Sequence, residues 1–370
     1  MRSSLRRLAI PLAIVTSLGL VGAACSKSAD TTSTGSGGTT AGSAAPGPKV
    51  SETLSGTLNG SGATFPAPFY EESINGMKDA APKLTINYGG GGSGKGKQEL
   101  QDQVVQWAGT DSLVKEEDKA KFKGGAFLYF PTVAAPITVS YNVKGLDKLR
   151  LSGPTLGKIF GGKVTTWNDP AIAGDNPGTT LPSTPIKVVH RSDGSGTTNN
   201  FTKFLKSAGG SDWTLDSGDT VNWPADQTGA NGNAGVAQAV KNTDGAVGYV
   251  DFSDAKASSL TFASIKNKDG QFVAPSLEGA SAALATAEVK DDLTYSPINT
   301  AGAKTYPITA STYVIVYQKQ PDATQGANIK GWLTYLLTTG QGEAASVDFA
   351  KLPDSLQAKA IAQLDKIQVG

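Results

Sequence analysis

Short apolar and polar blocks succeed one another along most of the chain, and the period within each block predicts the element it forms. In LTINY (84–88) the apolar residues Leu84, Ile86 and Tyr88 fall on one face, the two-residue period of a half-buried strand. KGKQELQDQVVQW (95–107) carries helix-compatible spacing, so a strand–glycine–helix unit is expected around Gly89–Gly94. The same grammar returns with IKVVHR (186–191) as a strand, SDGSG (192–196) as a tight loop and TTNNFTKFLKSA (197–208) as a helix. AVGYVDF (246–252) and STYVIVYQK (311–319) read as buried strands. NIKGWLTYLLTTG (328–340) and PDSLQAKAIAQLDKIQ (353–368) read as C-terminal helices. Two extended, Pro-punctuated segments, FPTVAAPITVSYN (130–142) and YPITASTYVIV (306–316), are of the sort that can run between lobes. The alternation predicts an α/β fold without a fixed-period repeat.

The first 24 residues fall outside this pattern. Arg2, Arg6 and Arg7 form a basic start without an acid, and an apolar run from Leu8 to Ala24 follows, ending in small residues. That order predicts a signal peptide over 1–24. The only cysteine, Cys25, follows directly and is placed like the acylated N-terminus of a bacterial lipoprotein, although Gly22 stands where Leu is usual three positions before it. A soluble secreted protein with a stray cysteine is the alternative. Residues 26–48 then hold five Ser, five Thr, five Gly, four Ala and two Pro among 23 positions. Such a stretch buries too little apolar surface to offset its ordering entropy, so 25–49 is expected to be a flexible tether.

At 370 residues the chain exceeds one ordinary core, and two domains are expected. Lys and Arg total 33 against 32 Asp and Glu, with no long basic run, which argues against a nucleic-acid binder held by phosphate neutralisation. One Cys and one His furnish neither Cys/His zinc sites nor a usual Ser-His-Asp triad. The chemistry therefore rests on the glycine loops. A helix N-terminus offers unpaired N–H groups and partial positive charge to an anion, and glycines allow close approach. Gly89-Gly90-Gly91-Gly92-Ser93-Gly94-Lys95-Gly96 imitates both dinucleotide and P-loop spacings, yet Gly96 stands where the Mg-binding hydroxyl belongs. A small-anion site fits it better than a nucleotide site or a purely structural loop. Arg191-Ser192-Asp193-Gly194-Ser195-Gly196-Thr197 joins a permanent cation, an acid that could hold it and two hydroxyls at a helix start. Taken alone, it reads equally as a capped helix beside a surface arginine. GSGATFPAPFY (60–70) is a third candidate helix start, with Thr64 and Phe65 before Pro66, and by itself it reads as a plain capped helix.

Together these motifs resemble the bacterial phosphate-binding proteins, the extracytoplasmic receptors of the phosphate-specific ABC importer. The resemblance covers nearly all of residues 55–370. It rests on GSGATFPAP, the YxGxGS-type glycine loop, FPTV (130–133), TLGKIFGGKVTTWND, RxDGSGT, DGAVGYVDF, YPITASTYVIV and KLPDS. The chain departs from the pattern at Gly94, often a second Ser, and at Thr110, where Ser precedes Asp111 in the family. The resemblance implies a periplasmic-binding-protein fold with two α/β lobes joined by two crossovers. Lobe I would span 50–134 and 308–370, and lobe II 135–307. It further implies high-affinity phosphate binding without a cofactor, delivery to the permease and ATPase subunits of the importer, a monomer, and anchoring to the outer face of the membrane through Cys25.

Carried over residue by residue, the implied phosphate ligands are Thr64, Phe65, Ser93, Asp111, Arg191, Ser195, Gly196 and Thr197, with Asp193 steadying Arg191. Thr64 and Phe65 would give backbone N–H groups, Ser93 its hydroxyl, and Ser195, Gly196 and Thr197 a ring of donors around the anion. An acid at 111 suits a ligand that brings a proton, since a carboxylate accepts from P–O–H and repels bare sulfate; a helix cap for SLVKEEDKAKF is its structural alternative. A receptor for sulfate or molybdate, or a secreted phosphatase using the same anion site, is the alternative function. No metal ligands or nucleophile–base pair stand out for an enzyme, and His190 should face away from Arg191. Lys95 and Lys97 are expected to point to solvent. The five Trp, including Trp107, Trp167 and Trp332, are expected in the core.

Overall fold

The computed structural model describes residues 48–369. The signal segment, Cys25 and all but the last two residues of the expected tether lie outside them. The described residues form one compact unit. Its spine is a mixed sheet containing β1 (Ser55–Gly62), β2 (Lys83–Gly90), β3 (Trp107–Thr110), β4 (Phe127–Asn142), β5 (Lys187–Arg191), β6 (Thr228–Ala230), β7 (Ala246–Asp251) and β8 (Thr309–Tyr317). The order is β2-β1-β3-β8-β4-β7-β5-β6, and two short strands, Thr261–Phe262 and Ala350–Lys351, also pair with β4.

The 16-residue β4 changes partner along its length. Its residues Phe127 to Pro136 pair antiparallel with β8, and Ile137 to Asn142 pair antiparallel with β7. The return crossing lies beside the first, because Thr309 pairs with Pro136 and the Ile137 amide donates to the Ile308 carbonyl at 2.8 Å. Tyr306 Oη donates to the Ile137 carbonyl at 2.9 Å from the same corner. The first Pro-punctuated segment is strand throughout, and the second becomes strand from Thr309 after a turn at Pro307 and Ile308; the two lie side by side and join two halves of the sheet.

In each half, parallel strands feed helices. β1 runs parallel to β2 and β3, while β5 runs parallel to β6 and β7. Helices α1 (Ala67–Ala80), α2 (Ser93–Gln101), α3 (Gly196–Ala208) and α4 (Gly232–Asn242) follow the carboxyl ends of β1, β2, β5 and β6. In open α/β sheets ligands bind outside those strand ends. The core is aliphatic and aromatic, with Trp107, Trp167 and Trp332 fully buried as expected.

Two helix expectations are corrected. α2 stops at Gln101 rather than running to Trp107: Gln103 adopts φ 60°, and Trp107 opens β3, where it stacks on Tyr88 at 4.9 Å and meets Trp332 at 5.5 Å. Burial of that indole overrides the helical spacing of VVQW. Within SLVKEEDKAKF only Glu116–Lys119 is helical, with Lys115 at its N-cap, so Asp111 does not cap it.

Candidate anion-binding site

The helix starts α1, α2, α3 and α4 converge where the two halves of the sheet meet. α3 begins at Ser195, whose Oγ accepts from the Thr198 amide at 3.1 Å while its own amide donates to the Asp219 carbonyl at 2.9 Å. The cap therefore satisfies the Thr198 amide, the Asn199 amide bonds the Ser195 carbonyl at 3.0 Å, and the amides of Gly196 and Thr197 are the ones a helix start leaves without an intrahelical acceptor. α2 begins at Ser93, whose Oγ accepts from the Asp111 amide at 3.1 Å. The two starts touch: a Cβ on Gly196 would lie 2.5 Å from Ser93 Oγ and 2.7 Å from Asp111 Cβ. Glycine at 196 is what allows this approach.

Arg191, at the end of β5, is buried and forked onto Asp193. Its Nε donates to Asp193 Oδ1 at 2.7 Å and its Nη2 to Oδ2, while Nη1 reaches Thr197 Oγ1 at 3.4 Å. The Arg191 amide donates to Tyr249 Oη at 3.0 Å. Asp193 Oδ1 also accepts from the Gly232 amide at 3.1 Å. Burial opposes the charge on Asp193, but the Arg191 bonds and charge outweigh it and hold the carboxyl below its ordinary range.

Asp111 lies just beyond β3. Burial pushes its carboxyl up to about 7; Thr312, Arg191 and Ser93 pull it down, and Asp219 pushes with the burial. Among the described residues no donor reaches its Oδ1. Its carbonyl accepts from Asn200 Nδ2 of α3 at 2.6 Å, another bond between the two halves. A cavity of about 380 Å³ opens beside it, with Asp111 in one wall and Asn200, Lys203, Tyr295 and Tyr313 among the others. Burial lowers the pKa of Lys203 there.

Thr64 and Phe65 precede α1. Phe65 is fully buried and packs edge-on against Phe349 with ring centroids 5.6 Å apart, so only its backbone can serve a ligand. Thr64 Oγ1 accepts from Asn233 Nδ2 at 3.2 Å and from the Asn233 amide at 3.3 Å. These contacts link the candidate residues of both halves in one cluster: Thr64 meets Asn233, Asn233 Nδ2 also reaches Thr197 at 3.2 Å, Thr197 meets Arg191, and Gly196 lies against Ser93 and Asp111.

Sequence reasoning missed Asn233, fully buried at the start of α4, although the loop before it carries the signal shared by the other starts: β6 ends in TGA and Gly232 takes φ 68°. It also misplaced Lys97. Lys95 does point outward and pairs with Glu99 at 3.7 Å. Lys97 instead turns inward, with Nζ 2.9 Å from Ser112 Oγ and 2.7 Å from Asp219 Oδ2. On a helix, position 97 lies four residues from Ser93 and shares its buried face. Arg191 is accordingly not the only cation fixed beside the cleft. His190 turns away from the cleft, stacks on Trp223 at 5.0 Å, and its Nδ1 lies 2.9 Å from the Arg191 carbonyl. Among the described residues, no helix is long and apolar enough to cross a membrane.

Comparison with known proteins gives the same picture. The PBP superfamily domain model matches residues 47–339. The phosphate-binding protein PstS 3 of Mycobacterium leprae is 35% identical over 331 residues, 86% of this chain and 89% of that protein. PstS of Pasteurella multocida is 35% identical over 315 residues, 83% and 89% of the two chains. Among solved structures, a high-affinity periplasmic phosphate-binding protein determined with phosphate bound aligns with TM-score 0.69 and 25% identity, covering 83% of this chain and 94% of that one. With two α/β halves joined by paired crossovers, four helix starts at their junction and relatives of this similarity over most of its length, the chain belongs to the phosphate-binding proteins of the PBP superfamily.

Proposed function

We propose that the protein binds inorganic phosphate outside the cytoplasm and delivers it to the permease and ATPase subunits of an ABC importer, acting as a receptor and not as an enzyme. One observation carries the reading: four helix starts, a buried Arg191 held by Asp193 and a buried Asp111 are linked in one cluster across the two halves. In this reading the amides of Thr64 and Phe65 and the hydroxyl of Ser93 hold the anion from lobe I, and Ser195, Gly196, Thr197 and Arg191 hold it from lobe II. Neutral donors fixed on rigid helix starts balance a dianion without a dense cation cluster. Ionised Asp111 accepts a hydrogen bond from the P–O–H group that phosphate carries near neutrality and sulfate lacks, which favours phosphate over a sulfate or molybdate receptor. Against a phosphatase, Ser195 Oγ is occupied as a helix cap and His190 lies against Trp223.

The lobes take the bounds 50–134 with 308–370, and 135–307, in keeping with the change of partner on β4 near Pro136. Cys25 carries the lipid that keeps this receptor on the outer face of the membrane. Calorimetric titration with phosphate and with sulfate tests the binding function; equal affinity for both, or no heat with phosphate, refutes it. Turnover of a chromogenic phosphate ester that Ser195→Ala abolishes would make the protein an enzyme. Retention of Cys25→Ser at the membrane would remove the lipid anchor.

A further inference from the structure

The contacts that close the cleft fall into two groups. Some belong to the anion site itself, such as Thr64 with Asn233. The ion pair of Lys97 and Asp219 does not. Lys97 sits one turn into α2, on the first half of the sheet, and Asp219 sits in the 213–227 loop after α3, on the second. The Lys97 ammonium has three hydrogens and three acceptors: Asp219 Oδ2 at 2.7 Å, Ser112 Oγ at 2.9 Å and the Leu113 carbonyl at 3.4 Å. It has no donor left for an anion. Asp219 is equally committed, since its Oδ1 accepts from Asn199 Nδ2 at 2.9 Å and its carbonyl takes the amide of Ser195 at 2.9 Å. The pair is mostly withdrawn from water, at 16% and 20% side-chain exposure, where charge pairs are less screened than at the surface.

We propose that Lys97 and Asp219 form an interlobe latch, which holds the cleft shut around the bound anion and sets how long it stays. The proposal rests on the phosphate reading above, and it assigns residence time to residues that do not touch the ligand. Through the Asp219 carbonyl the latch also fixes the Ser195 amide, so closing the lobes and setting the start of α3 are one event. A second pair, Lys256 with Asp348, also links the two halves but is half exposed on the lysine side. Exposed pairs contribute little, which makes it an internal control.

Stopped-flow measurement of phosphate association and release on the full folded chain tests the latch. Lys97→Met and Asp219→Asn should each speed release at least fivefold and change the association rate less than twofold, because loss of one partner in a withdrawn charge pair acts on dissociation. The double variant should be no worse than the worse single variant, and Lys256→Met should match wild type. Release within twofold of wild type in both single variants overturns the latch while leaving phosphate binding intact. A change in association alone overturns it too, since the pair would then be steering the anion. Absence of phosphate binding by the wild type refutes the functional reading and the latch with it.

Discussion

Replacing Asp111 with Asn should make sulfate binding independent of pH. In the native protein, burial holds the Asp111 carboxyl at about 7 despite the pull of Thr312, Arg191 and Ser93. The sign follows from which form can meet sulfate. Ionised Asp111 offers only acceptors and repels sulfate, whereas protonated Asp111 can donate to it. With a pKa near 7, the protonated fraction is nearly complete at pH 5 and about one tenth at pH 8, and each pH unit above 7 adds about 1.4 kcal/mol to the cost of admitting sulfate. Wild-type sulfate affinity should therefore be flat below about pH 6 and fall about tenfold per unit above pH 7. Asn places an amide donor in the same volume, so the variant should bind sulfate equally from pH 5 to pH 8. At pH 8 its phosphate-to-sulfate ratio should be narrower than that of wild type by at least about tenfold, roughly 1.4 kcal/mol. Calorimetry in buffers of matched ionic strength reads both. If wild-type sulfate affinity does not change between pH 6 and pH 8, or the variant keeps the wild-type slope, Asp111 is not reading the ligand's proton.

Two other substitutions separate the charge in the site from its closure. Arg191→Ala removes a buried charge and strands Asp193, and should weaken phosphate binding by at least ~2 kcal/mol, about thirtyfold; a loss below threefold would take Arg191 out of the site. Gly196→Ala leaves every charge in place but puts a methyl 2.5 Å from Ser93 Oγ, so equilibrium titration should show at least a tenfold weaker affinity with unchanged circular dichroism; native affinity would mean that α2 and α3 need not meet.

The parts of this molecule that read clearly from the sequence are those governed by local rules. Strand periods place β2, β5, β7 and β8 to within two or three residues, because alternation and burial agree there. The helix starts at Ser93 and Gly196 follow from glycine and cap chemistry within a few residues. The errors occur where a distant partner decides. Trp107 ends the helical spacing of VVQW because Tyr88 and Trp332 receive it in the core. Lys97 faces inward because an acid 122 residues later completes its coordination. Asn233 belongs to the site because Thr64, 169 residues earlier, lies across the cleft. No period or spacing in a single sequence carries such pairings.

The same cross-cleft contacts explain how a nearly charge-balanced site can hold an anion. Arg191 is matched by Asp193 and Lys97 by Asp219, so ion pairs add little net positive charge at the cleft. The attraction must come from N–H and O–H dipoles at the helix starts, and such dipoles act strongly only when fixed and withdrawn from water. Both ion pairs supply that fixation. The fork between Arg191 and Asp193 ties β5 to the Gly232 amide at the start of α4, and the bond from Lys97 to Asp219 ties α2 to the cap of α3. A lysine at 191 would keep the charge but lose the two-pronged geometry that orients these elements. The buried charges of this cleft thus serve mainly to position neutral donors. In the proposed reading that leaves Asp111, which has no ion-pair partner among the described residues, to respond to the proton on the ligand.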